Sequence, residues 1–91
     1  LYPGDLGKQA EVTFGAILHL LDYAGLGPAD LLSTIEFCVE DALPQYRVVA
    51  DVRERMLVAP WPASTGAMCK ALLREEFLLE VLPTAMYPKE G

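Results

Sequence analysis

The sequence predicts a single small α+β domain, and three observations carry the prediction. One long segment has the period of a helix buried on one side, and a second, shorter segment follows with the same period. Between and after them lie short runs suited to strands rather than to core helices. The third observation is size. With 91 residues there is room for one domain, spanning residues 1–91, and one modest core. Yet 53% of the residues are hydrophobic, more than so small a core needs, which points to apolar surface buried against other chains.

Taken in order, Asp5 is placed to N-cap a helix that runs to Gly25. Ala10, Phe14, Ile17, Leu21 and Ala24 share one face, Leu18 and Leu20 widen it, and Gly25 is the C-terminal stop. His19 lies beside that stripe with no acid or cysteine near it, and reads as a packing or surface residue. Gly27-Pro28 makes a turn, and Asp30 opens the run LLSTIEFCV at 31–39, which is read as a strand. Pro44 suits the first turn of a second helix that ends near Leu57. Its buried side is Val48, Val49, Val52 and Met56, with Arg47, Asp51, Glu54 and Arg55 in water.

Pro60-Trp61-Pro62 reads as a rigid extended link. Beyond it Ala63, Thr65, Ala67, Cys69 and Ala71 alternate as a uniformly small face, suited to close packing against a helix. Ser64, Gly66, Met68 and Lys70 take the other face, free for a subunit contact or cleft. Residues 73–76 are expected to turn a hairpin, and residues 77–82 to return as a strand interrupted at Pro83, with a frayed tail from Ala85. The order is α-β-α-β-β. Three strands under two helices leave open sheet edges, a second reason to expect partner chains.

A net charge of −6, with seven scattered basic residues, argues against nucleic acid. Arg47, Arg53 and Arg55 come nearest to a cluster and read as a solvated helix face. No apolar run of about 18 residues offers a membrane span, and no signal-peptide pattern appears. Cys38 and Cys69 read as two buried thiols in a reducing, cytoplasmic compartment, and neither has a partner at metal-ligand spacing. The chain begins at Leu1, which suggests a segment upstream that is removed, left out or supplied separately.

Several short signals, in this order, resemble the RidA/YjgF family. They are the helix GKQAEVTFGAILHLLDYAGL with Gln9 and its closing Ala24-Gly25, then Asp30 and the strand LLSTIEFCV. The helix from Tyr46 to Leu57 follows, then PAST at 62–65 and LLEV at 78–81. The match runs from about Gly7 to Ala85. The resemblance implies a RidA/YjgF-like, chorismate-mutase-like sheet under two helices, assembled as a trimer with clefts between subunits. The family's two N-terminal strands have no counterpart here. The expected assembly is therefore a homotrimer, or a hetero-oligomer in which another chain supplies those strands.

Deaminase-type members of that family hydrolyse reactive enamines and imines without a cofactor. They use an arginine on the substrate carboxylate, an acid that activates water, and backbone donors beside the substrate. Glu80 matches the acid and is the one charge inside the apolar strand 77–82. The arginine falls at Ser64, a frequent cysteine at Gly66, and an asparagine at Ala50. Ser64, Thr65 and Gly66 could still offer hydroxyl or backbone donors, and Trp61 a stacking surface or an interface anchor. Two readings stay open. One is an atypical hydrolase or deaminase of a small imine or enamine, and the other a non-catalytic or small-molecule-binding member of an oligomer.

Overall fold

A computed structural model describes residues 2–59 and 61–87. Helix α1 spans Leu6–Tyr23, and Asp5 caps it by accepting from the Lys8 backbone N–H at 3.0 Å. At the other end Gly25 takes φ +77°, the left-handed conformation that glycine adopts without penalty. There Leu26 N–H donates to the Leu21 carbonyl (2.7 Å) and Gly25 N–H to Asp22 (3.0 Å), which closes the helix. Leu6, Ala10, Phe14, Ile17 and Leu21 are buried, while Ala24 and Leu20 are exposed, so the apolar stripe is narrower than its sequence suggests.

A 3₁₀ turn at Pro28–Asp30 leads into strand β1, Leu31–Val39, which has the span read from the sequence. A second 3₁₀ segment, Glu40–Gln45, holds Pro44, so helix α2 begins only at Arg47 and ends at Met56. Val49 and Val52 form its buried side, and Val48 and Met56 pack at the margin of the core. Strands β2 (Ala63–Cys69) and β3 (Leu79–Ala85) complete the chain. Pro60 of the proposed rigid link lies outside the described residues, as do positions 88–91 of the tail.

The sheet order is β2-β1-β3, with β2 parallel and β3 antiparallel to β1. The expected β2–β3 hairpin is therefore not formed. Residues 70–78 instead carry the chain across the sheet, because β1 takes the central place between its two later partners. Nor does Pro83 end β3. It pairs opposite Thr34 on an edge strand, where a residue without an N–H is tolerated.

Register fixes which side chains meet. Ser64 lies beside Thr34, Gly66 beside Glu36 and Met68 beside Cys38, all on the face that the helices cover. The uniformly small set at Ala63, Thr65, Ala67 and Cys69 lies on the other face, the reverse of the packing expected from its size. That second face also holds Ile35 and Phe37 of β1 with Leu82 and Glu80 of β3, and no helix among the described residues covers it. Cys38 is buried under the helices, Cys69 is half-buried on the far face, and both thiols are free. Burial pushes the Cys38 thiol up.

Candidate functional site

Among the described residues Glu36 is the most connected polar side chain. It stands in the middle of β1 with no exposed surface, and its carboxylate accepts from four side chains. Arg53 Nη1 (2.6 Å) and the Tyr46 hydroxyl (2.7 Å) donate to Oε1. The Thr34 and Ser64 hydroxyls donate to Oε2, each at 2.9 Å. A charge buried so completely requires a counter-charge and filled lone pairs, and here it has both. Among the described residues no buried side-chain nitrogen or oxygen lacks a partner.

The neighbours bear the marks of that arrangement. Desolvation, and then the hydrogen bond to Glu36, push the Tyr46 phenol up to about 12. Its hydroxyl is thus turned inward, not wet as a surface tyrosine's would be. A Cβ built on Gly66 would stand 2.8 Å from the Tyr46 hydroxyl oxygen, so the missing side chain there is what lets the tyrosine reach Glu36. Arg53, assigned to a solvated face from its sequence context, points inward and is only 20% exposed. The signal that could have revealed this hub is Glu36 itself, a lone charge in the strand LLSTIEFCV.

The predicted site residues fall into two groups. Ser64 and Gly66 sit together on β2 beside the Glu36 hub, with Thr65 between them on the opposite face. Trp61, half exposed just before β2, donates its indole N–H to the Glu54 carbonyl (3.3 Å) and so rests on the end of α2. Glu80 stands apart from all four. It is exposed on the opposite edge strand, beside Phe37 on the uncovered face, and none of the ion pairs among the described residues includes it. One chain does not bring Glu80 to Ser64.

Beside Glu80, a groove of about 420 Å³ runs between α1 and β3. Val12, Ala16 and Leu20 of α1 form one wall, and Leu79, Val81 and Pro83 of β3 the other. Val12 and Leu20 are exposed along it, although they continue the helical period. Gln9 closes one end. Its amide donates to the Tyr2 and Glu76 carbonyls (3.1 and 2.9 Å) and accepts from Leu78 N–H (2.8 Å), which fixes the entry to β3. Among the described residues no cluster of His, Cys, Asp and Glu could hold a metal ion.

Comparison with solved structures decides the fold. Rv2704 of Mycobacterium tuberculosis, a member of the YjgF/YER057c/UK114 family, superposes with a TM-score of 0.84 at 22% identity. The fold is that of the YjgF/Rid family. YyfB of Yersinia pestis, from the conserved Rid family, gives 0.83 at 24% identity, and RidA of a Psychrobacter species gives 0.81 at 22%. The three matches cover 91%, 93% and 93% of this chain but 69%, 65% and 66% of those proteins. The chain thus spans about two thirds of the YjgF/Rid structures it resembles. No protein-family model matches the sequence, and no curated protein does.

Proposed function

We propose that the chain forms part of a RidA-like hydrolase whose cleft lies between subunits and acts on a reactive imine, enamine or related small molecule. The observation that carries this reading is Glu80, exposed on an apolar face and without an ion-pair partner among the described residues. Trp61, Ser64, Thr65 and Gly66 stand on the opposite edge of the same sheet. A cleft using both sets needs two copies, with β3 of one facing β2 of the next. Such a head-to-tail contact forms a closed ring when the rotation between copies divides a full turn, and a threefold rotation, giving a trimer, is the arrangement this reading takes. In that cleft Glu80 takes a proton from water as the oxygen attacks the C=N carbon and passes it to the nitrogen, giving a carbinolamine. Glu80 then moves the hydroxyl proton to the nitrogen as the C–N bond breaks, which releases a carbonyl and ammonia. The reaction needs no cofactor.

A second set of strands completes the assembly in this reading. An extended segment pairs with the free edge of β3 and covers the α1–β3 groove, supplied by more of the same polypeptide or by another chain. Two free thiols suit a cytoplasmic setting, and no helix among the described residues is long and apolar enough to cross a membrane.

The test is hydrolysis of small imines by Glu80→Gln. Turnover should fall by about 10²-fold or more, with assembly and unfolding midpoint unchanged. Full activity in that variant would remove the hydrolase reading. The non-catalytic reading draws on Ser64, which stands where the resemblance implies an arginine. It expects Trp61→Ala to break the oligomer and Glu80→Gln to alter only stability, or nothing.

A further inference from the structure

A hydroxyl has one proton to give and two lone pairs to offer. Ser64, Tyr46 and Thr34 each spend that proton on Glu36, whose carboxylate, paired with a guanidinium, only accepts. What Tyr46 and Ser64 have left for anything outside the hub is acceptor lone pairs. The charge of Arg53 is balanced by Glu36 through its shortest contact. The phenol keeps its proton throughout the physiological range, so its direction of donation is fixed.

Tyr46 also lines a cavity of about 280 Å³ between the 3₁₀ segment and β2, whose other walls are Cys38, Leu43, Gly66, Ala67 and Met68. The walls are apolar but for the tyrosine. Gly66 contributes no side chain to fill it, and Ser64 stands one pleat further along the same face of β2, exposed. The cavity has room for a chain of a few carbons ending at an acceptor.

We infer that the surface over Tyr46, Ser64 and Gly66 is a subsite for an N–H donor on a small ligand: an ammonium or protonated imine carrying a short apolar group. Its polarity is opposite to that of a carboxylate clamp. The two hydroxyls have no proton left for a carboxylate, because both are given to Glu36, whereas an N–H group finds an acceptor whose own proton is held away. This names the ligand chemistry of the imine reading above and refines it, but it is measured by binding alone.

The probes are n-butylammonium and n-butyrate, equal in chain length and opposite in polarity, titrated at constant ionic strength into the isotope-labelled protein. The amide resonances of Gly66 and Ala67 report the site. Butylammonium should shift them saturably and butyrate should not. Tyr46→Phe, which removes the acceptor oxygen and keeps the ring, should weaken butylammonium about tenfold or more. Ser64→Ala, at an exposed strand position, should weaken it less. Butyrate binding as tightly as butylammonium, no saturable shift from either, or unchanged affinity in both variants would each overturn the subsite. If Glu80→Gln binds butylammonium normally but loses turnover, both proposals stand. If the wild type binds it and never hydrolyses an imine, the subsite stands and the hydrolase reading falls.

Discussion

Replacing Arg53 with Met should be among the most damaging single changes in this fold. The side chain is similar in length and apolar, so packing is kept while the counter-charge is lost. Glu36 has no exposed surface, and water cannot take over from the guanidinium 2.6 Å away. Leaving a buried charge without its partner costs about 3–5 kcal/mol. Three hydroxyl donors remain on the carboxylate, so the lower end, about 3 kcal/mol, is expected. For a domain of this size that is a fall in melting temperature of roughly 12–24 °C. Urea unfolding followed by circular dichroism gives the difference directly, provided the slope m is unchanged. The double variant Glu36→Gln/Arg53→Met removes the charge as well and should recover at least about 1 kcal/mol relative to Arg53→Met alone. A loss below about 1 kcal/mol in the single variant would mean the pair behaves as a surface bridge. The description of Glu36 as sealed by its donors would then be wrong.

Two further predictions rest on the same hub. The Tyr46 phenol, raised to about 12 in the folded protein, ionises earlier in the unfolded chain. Its contribution is therefore complete below the ordinary tyrosine range and lost as pH rises towards 12; ultraviolet titration should show a late phenolate step that Tyr46→Phe abolishes. Gly66→Ala places a methyl 2.8 Å from the Tyr46 oxygen and should cost about 1–3 kcal/mol. Most of that loss should disappear when Tyr46 is also reduced to Ala, and an unchanged penalty would show that the clash lies elsewhere.

The local elements were legible in the sequence because local chemistry dictates them. Asp5 and Gly25 bracket α1 by capping, and the run 31–39, with Thr34, Ile35, Phe37 and Val39, is short and suited to a strand. What was not legible depends on partners distant in the chain. A polar turn between two strand-like runs favours a hairpin on local grounds, but pairing both runs with β1 covers the central strand on each side, and that outweighs the turn. The faces of β2 were reversed for a related reason. Small residues suit a close helix, yet register with Thr34, Glu36 and Cys38 assigns Ser64, Gly66 and Met68 to the helix side. At the candidate site Glu80 was singled out as a lone charge in an apolar strand, and Glu36 satisfies the same criterion. Only the structure separates them, one exposed and unpaired, the other buried under four donors.

The central place of β1 also governs how the chain must reach its native state. Ser33 pairs with Ala63, and Leu31 with Ala85, so neither side of the sheet can begin from a tight turn. Both closures require long loops before any pairing compensates for the lost chain freedom, which makes for slow folding. During synthesis β1 leaves the ribosome well before either partner exists. For that interval LLSTIEFCV lacks both of its sheet neighbours, and Glu36, later sealed in the polar hub, is the one charge in the run that opposes pairing with other chains.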